Sequence, residues 1–274
     1  MGTTMSPVPG PTPNAALTFT AEQQLDDGVL ERRFVLDGVR GVLWTPATAT
    51  PSRPAPLILL GQPGGLGLDR MYPRLAGRAR HAARDGIASA TLETPGSGER
   101  SPLPGADRAR ADLRGALASG RPVPDDVVDR LVLPLVDRSV PEWRSALDAL
   151  LALPDVGGPV GFSGGVIAVG VRLAVVEPRV VAAGLFAGSY VPRSTFEEAR
   201  RVTVPVHVLL QWDDEGNDRQ AALALFDAFG SSEKTLQANL GGHTGVPAFA
   251  GQDAARFFAR HLRRPSPGAA PTGG

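Results

Sequence analysis

The sequence contains no cysteine, which excludes disulfides, thiol nucleophiles and thiolate metal sites. It also lacks an excess of either charge, because 28 basic and 28 acidic residues give a formal net charge of +0. Neither nucleic acid nor a membrane surface is therefore an expected partner. No apolar run approaches the roughly 18 residues of a membrane-spanning helix, and the N-terminus has no signal-peptide pattern. We expect a cytoplasmic protein.

The composition is that of an ordinary globular domain. The 274 residues are 42% hydrophobic and 20% charged, which is enough apolar material for one large core. Residues 1–20 are rich in Pro, Thr and Gly and predict a flexible N-terminal arm. Residues 263–274 predict a disordered tail. A single domain is expected over residues 21–262, as a monomer or a homodimer.

Short apolar runs alternate with helical patterns along this domain. Leu30 to Leu36 and Val39 to Trp44, separated by Asp37-Gly38, predict a hairpin. Pro56 to Gly61 is a continuous apolar run typical of a strand buried on both faces. The further predicted strands are Ile87 to Leu92, Val160 to Phe162, Val180 to Phe186, Val206 to Gln211 and Thr235 to Ala238. This order predicts an α/β fold with a mainly parallel sheet of about eight strands and helices on both faces.

Residues 100–139 interrupt the alternation. They are polar and rich in Arg, Asp and Pro, and predict two helices, Asp107 to Ala118 and Asp125 to Val136. The second is expected to be kinked or cut short at Pro134. The segment is a candidate for a partial lid, although the apolar spacing of its second helix is equally typical of packing against the domain.

The pentapeptide Gly161-Phe162-Ser163-Gly164-Gly165 is a GxSxG motif between a predicted strand and a predicted helix. Glycines flank a nucleophilic serine at such a turn because a Cβ beside so sharp a bend would clash with its neighbours. The motif alone is weak in a chain with 33 glycines. Its position at a strand end makes Ser163 the candidate nucleophile.

A nucleophilic serine needs a histidine base and a carboxylate that orients the histidine. His81 and His261 lie in predicted helices and are expected at the surface, whereas His207 lies inside a predicted strand and is expected in the core or at a sheet edge. His243, in the loop after the last strand, remains as the base. The acid candidates follow the preceding strand. We favour Asp214 over Asp213, and expect Asp218 to cap the next helix.

The chain order Ser163, Asp214, His243 is the order of the α/β hydrolases. Together with the pieces Leu59-Leu-Gly-Gln-Pro-Gly-Gly, Glu93-Thr-Pro-Gly-Ser-Gly and Gly241-Gly-His, it makes the sequence resemble that superfamily. Within that superfamily, the sequence most resembles compact carboxylesterases and dienelactone-hydrolase-like enzymes. The resemblance implies an acyl-enzyme mechanism with no metal or organic cofactor.

The resemblance also implies an oxyanion hole made of two backbone amides. Gly164 is the first donor. The second loop reads Gln62-Pro63 where many relatives have His-Gly, and Pro63 has no N–H. Gly64 is the favoured donor, with Gln62 either holding the loop or offering its side-chain amide. Tyr190, Trp212 and Phe162 are the candidates for lining a substrate pocket.

The expected activity is hydrolysis of a carboxylic ester or a related acyl bond in a small molecule. Thioesterase, lactonase, acyltransferase or lyase chemistry would use the same three residues, because a fold does not choose among them. The alternative outside the enzymes is a non-catalytic binding protein that keeps the fold. The intact Ser, Asp and His argue against it.

Overall fold

The computed structural model describes residues 17–188 and 190–263. Its sheet has nine strands in the order β1-β2-β3-β5-β4-β6-β7-β8-β9. The strands are β1 Leu17–Gln24, β2 Leu30–Leu36, β3 Val39–Thr45, β4 Ala55–Gly61, β5 Ala88–Leu92, β6 Val156–Gly164, β7 Val180–Phe186, β8 Val206–Gln211 and β9 Lys234–Asn239. The helices are α1 Leu68–Arg84, α2 Ala106–Ala118, α3 Asp125–Leu151, α4 Ile167–Val176, α5 Arg193–Ala199, α6 Arg219–Ala228 and α7 Ala248–Leu262.

The sheet is antiparallel at its N-terminal end and parallel elsewhere. Strands β1, β2 and β3 pair antiparallel in sequence, and β3 pairs antiparallel with β5. From β5 to β9 every pairing is parallel. The predicted alternation and mainly parallel sheet are confirmed, as is the hairpin of β2 and β3. Asp37 and Gly38 both have positive φ in its turn, at 48° and 78°, which suits a two-residue hairpin loop.

Two helix layers enclose the sheet. Side chains of α1 and α7 pack on one face, with Leu75, Phe257 and Phe258 in that core. Helices α3, α4 and α6 supply the core on the other face. Because the carboxyl ends of parallel strands meet at one edge, the loops after β4, β6, β8 and β9 lie at the same edge of the sheet. Among the helices of the described ranges, none is both long enough and apolar enough to cross a bilayer.

The predicted N-terminal arm is partly wrong. Residues 17–20 belong to β1, whose backbone pairs with β2, while residues 1–16 and the predicted tail at 264–274 lie outside the described residues. Strand β1 was missed because seven of its eight residues are exposed. Its side chains therefore carry no alternation of buried and exposed positions. With β1 included, the sheet has nine strands, one more than the predicted eight.

The predicted helix is not cut short at Pro134, because α3 runs through both Pro134 and Pro141. A proline inside a helix costs about 3 kcal/mol. The buried stripe of α3 continues on both sides of Pro134, and that burial against the sheet offsets the cost. The residues of the stripe include Val128, Val132, Leu135, Val136, Trp143 and Leu147. Within residues 100–139, α2 stays the candidate for the predicted partial lid, because α3 is a core helix over most of its length.

Two helical glycines provide a test of this packing. A Cβ on Gly170 in α4 would lie 2.6 Å from Leu185 Cδ2 and 2.7 Å from Phe162 Cε1, whereas a Cβ on Gly115 in α2 meets no atom within 4 Å. We predict that Gly170→Ala lowers the free energy of unfolding by about 1–3 kcal/mol through overpacking. Gly115→Ala should raise it by about 0.5–1 kcal/mol. Denaturant unfolding measures both, and equal stabilisation by the two variants would contradict the described packing.

Candidate active site

Ser163 lies at the carboxyl end of the central strand β6. It pairs in register with Leu60 of β4 and with Gly184 of β7, and its residue is 7% exposed. Helix α4 begins only at Ile167, because Gly164 and Gly165 form the turn with φ values of 78° and 71°. Only glycine adopts such values without strain. The two glycines thus bend the chain immediately after the serine.

The other glycines of the motif are required by close approach. A Cβ on Gly161 would lie 2.8 Å from Phe258 Cε1. A Cβ on Gly165 would lie 2.8 Å from the backbone of Gly61, at the end of β4. Both glycines of the GxSxG motif are therefore required because there is no room for a Cβ: helix α7 leaves none at Gly161, and strand β4 leaves none at Gly165.

His243 and Asp214 are brought together by the loops after β9 and β8. His243 Nδ1 lies 2.7 Å from Asp214 Oδ2, and the Asp214 side chain is 2% exposed whereas that of His243 is 55% exposed. Asp214 Oδ1 also accepts a hydrogen bond from the Gly216 N–H at 3.1 Å. The edge of the His243 ring packs against Phe186, with ring centroids 5.3 Å apart. A buried carboxylate thus fixes the orientation of an exposed imidazole.

Asp213 and Asp218 have different partners. Asp213 Oδ2 accepts a hydrogen bond from the Gly241 N–H at 3.0 Å, so it holds the start of the histidine loop. Asp218 accepts from the N–H groups of Gln220 and Ala221, which confirms it as the N-cap of α6. Asp213 and Asp218 therefore stabilise backbone, one at the start of the histidine loop and the other at the start of α6.

Ser163 and His243 are not hydrogen-bonded to each other in the described part of the chain. Instead, Ser163 Oγ accepts a hydrogen bond of 2.7 Å from Arg78 Nη2 of helix α1. The structure thus brings together the predicted base and acid at one place and the predicted nucleophile with an arginine at another. The three residues lie at the same edge of the sheet, at the ends of β6, β8 and β9.

The loop after β4 carries the predicted second oxyanion donor. The Gln62 side-chain amide donates to Thr91 Oγ1 at 3.0 Å and to the Leu92 carbonyl at 2.6 Å. It holds the loop against β5, and both amide hydrogens are used there, so the alternative in which it faces an oxyanion is wrong. The Gly65 N–H donates to Ser97 Oγ at 2.9 Å. Gly64 is exposed and stays the predicted donor, together with Gly164.

The three predicted pocket residues have different environments. Phe162 is fully buried and packs edge-on against Trp143, with centroids 6.2 Å apart. Side chains alternate along β6, so the residue before Ser163 points to the opposite face, and the assignment of Phe162 to a substrate pocket is corrected to the core. Trp212 is 38% exposed, and the Arg219 guanidinium carbon lies over its ring, 4.4 Å from the ring centroid. Burial, with the nearby charges of Asp218 and Asp214, raises the pKa of Tyr190.

His207 and His261 both pack against Phe257. His207 Nδ1 lies 2.9 Å from Thr235 Oγ1, and the ring stacks on Phe257. Burial lowers the pKa of His207, as expected for the predicted core histidine. His261 was expected at the surface, but its side chain is 14% exposed and its ring lies 4.8 Å from that of Phe257. Its position on the inner face of α7 explains this correction.

Arg78 is the site residue that the sequence analysis missed. It follows Leu75 by three positions and precedes Ala82 by four, and both of these residues are buried. An arginine on the apolar stripe of an amphipathic helix is the signal that could have revealed it.

Comparisons with known proteins bear on this arrangement. No protein-family model and no curated protein matches the chain. A solved cold-adapted esterase from an Arctic intertidal metagenomic library is 27% identical, with a TM-score of 0.69 over 89% of this chain and 98% of that chain. The chain has the fold of the α/β-hydrolase superfamily. The predicted fold and the predicted class, an α/β-hydrolase-type enzyme resembling carboxylesterases, are confirmed.

More distant α/β hydrolases share the fold. The acetyl xylan esterase from Paenibacillus sp. R4 is 17% identical, with a TM-score of 0.62 over 90% of this chain and 89% of that chain. The esterase Pf2001 of Pyrococcus furiosus is 8% identical, with a TM-score of 0.57 over 93% of this chain and 97% of that chain. At these identities the likeness concerns the fold, so the chemistry has to be argued from the site.

The nucleophile of this α/β hydrolase can be identified by covalent labelling. We predict that a fluorophosphonate probe labels Ser163, and that Ser163→Ala abolishes labelling because it removes the attacking oxygen. Ser139→Ala is the control, since Ser139 is also buried but lies in α3. Peptide mass mapping locates the adduct. Labelling that persists in the Ser163 variant would contradict the assignment.

Proposed function

We propose that the protein hydrolyses carboxylic esters of small molecules through an acyl-enzyme on Ser163. His243 acts as the general base and acid, and Asp214 orients it. The contact between His243 Nδ1 and the buried carboxylate of Asp214, at 2.7 Å, is the observation that carries the proposal. The cold-adapted esterase that is 27% identical to this chain supports ester bonds as the substrate class.

Asp214 has two effects on the imidazole in this proposal. Its carboxylate accepts a hydrogen bond from the Nδ1–H group, so the proton stays on Nδ1 and Nε2 is left as the basic nitrogen. Its negative charge also stabilises the imidazolium that forms when His243 takes a proton. The hydrogen bond from the Gly216 N–H to Asp214 keeps the carboxylate in place. A neutral amide at position 214 would lose both effects.

The chemical steps follow from this arrangement. His243 Nε2 removes the Ser163 proton as Oγ attacks the ester carbonyl carbon, and the π electrons move to the carbonyl oxygen. Collapse of the tetrahedral species expels the alcohol, which takes the proton from His243. Water then repeats the sequence and releases the acid. The backbone N–H groups of Gly164 and Gly64 are the proposed donors to the oxyanion.

The proposal requires Ser163 Oγ and His243 Nε2 to come within hydrogen-bond reach. Catalytic hydrogen bonds are often long or absent in ligand-free enzymes and tighten when substrate binds. His243 is more than half exposed and lies in a loop of mostly exposed residues, 240–247. Movement of this loop toward Ser163 is therefore part of the proposed cycle.

The two neighbouring aspartates give a matched test of the acid. We predict that Asp214→Asn lowers kcat for a p-nitrophenyl short-chain ester on the order of 10⁴-fold, as loss of the orienting carboxylate does in serine hydrolases. Asp213→Asn should lower kcat less than about tenfold, because Asp213 only holds the Gly241 backbone. Steady-state kinetics on both variants measures this. A larger loss in the Asp213 variant would name Asp213 as the acid.

A further inference from the structure

Arg78 occupies an unusual position for an arginine. It lies on α1, with Leu75, Ala79 and Ala82 buried on the same side of the helix. These neighbours face the sheet, so the Arg78 side chain is directed toward the ends of the central strands. The inward direction places a permanent positive charge beside the apolar core.

The Arg78 guanidinium contacts the serine directly. Nη2 donates to Ser163 Oγ at 2.7 Å and to the Ser163 carbonyl at 3.2 Å. A Cβ on Gly164 would lie 3.0 Å from Nη1, so the guanidinium also lies against the residue after the serine. Its two terminal nitrogens thus span the turn that carries the predicted nucleophile and the predicted first oxyanion donor.

The charge of Arg78 has no acidic partner within residues 17–188 and 190–263. Other partly buried arginines pair with carboxylates, as Arg40 does with Glu93 at 2.8 Å and Arg100 with Glu142 at 2.5 Å. Burial, and then repulsion by Arg74, lower the pKa of Arg78 to about 10. The group therefore remains a cation at neutral pH. An unpaired cation removed from water is costly unless an anion forms beside it.

We propose that Arg78 is a catalytic residue that stabilises the negative charge developing on Ser163 during acyl transfer. The proposal rests on the function proposed above. As the Ser163 proton passes to His243 Nε2, electron density builds on Oγ, which already accepts the Arg78 Nη2 hydrogen bond. When Oγ bonds to the carbonyl carbon, the charge moves to the carbonyl oxygen. Arg78 neither gains nor loses a proton in these steps, and its bond to Oγ also fixes the direction of the nucleophile.

A second use of the same charge would be recognition of a carboxylate on the substrate. The two uses differ in what the arginine touches. Nη2 is engaged with the reacting oxygen itself, which favours an action on the nucleophile for every substrate. Carboxylate recognition would instead affect only anionic substrates, and the experiment separates the two.

The test compares Arg78→Gln, Arg78→Lys and Arg78→Ala with Arg74→Gln. Arg74 is an exposed residue of the same helix, one turn earlier, so its variant removes a charge without removing a bond to Ser163. The substrates are p-nitrophenyl acetate and the p-nitrophenyl monoester of succinic acid, which carries a free carboxylate. Thermal unfolding of each variant controls for folding.

We expect Arg78→Gln to lower kcat at least tenfold for both esters with little change in KM, because loss of one preorganised donor costs about 10²–10³-fold in related sites. The rate of fluorophosphonate labelling should fall in parallel. Arg78→Lys should recover part of both, and millimolar guanidinium should raise the activity of Arg78→Ala and leave the wild type unchanged. Arg74→Gln should keep wild-type rates.

Three results would overturn the inference. The first is wild-type rates in Arg78→Gln, and the second is a loss of activity confined to the succinate ester. The third is a loss that follows the melting temperature and that is repaired neither in Arg78→Lys nor by guanidinium added to Arg78→Ala. Failure of the proposed function is separate. It would show as ester hydrolysis that survives in Ser163→Ala, whatever the Arg78 variants do.

Discussion

The close approach of β4 and β6 is the constraint on which the site depends. A side chain at Gly165 would meet the backbone of Gly61 at 2.8 Å, so the two strand ends come together only because both residues are glycine. This contact aligns Leu60 with Ser163. It also starts the Gln62 loop beside the serine, where Gln62 is tied to β5. The loop and the turn are therefore set by the same pair of strands.

The edge of the sheet that carries Ser163 holds two kinds of charged group. One is an acid and base pair, in which the buried Asp214 holds the exposed His243. The other is Arg78, a cation that contacts the serine directly. Strand β6 is paired on both sides, whereas the histidine loop is exposed. In our account the arginine and serine are preorganised, and the histidine completes the site when substrate binds.

The sequence predicts most of the fold because its strands are buried and its turns are marked by glycine and proline. The bounds predicted for Val180 to Phe186 and Val206 to Gln211 match β7 and β8. The failures have physical causes. Strand β1 is an exposed edge strand with no apolar alternation, and α3 continues through Pro134 because burial on both sides of it outweighs the lost hydrogen bond.

The candidate site was predictable to a different extent for each residue. Ser163, Asp214 and His243 follow from strand ends and from elimination among four histidines. Phe162 was misplaced because it lies inside β6, which ends at Gly164, and successive side chains of a strand point to opposite faces. Arg78 lies 85 residues from Ser163 in sequence. The apolar stripe of α1 indicates that Arg78 faces inward, but its contact with Ser163 depends on how α1 packs on the sheet.

The central claim is that Ser163 becomes acylated during turnover. The most direct test is to mix the wild-type enzyme with p-nitrophenyl acetate, quench it with acid before the steady state, and map the acetylated peptide by mass spectrometry. The account predicts an acetyl group on Ser163 that is lost on further turnover. Product formation with no acylated residue, or with an acetyl group that turns over on a different residue, would contradict it.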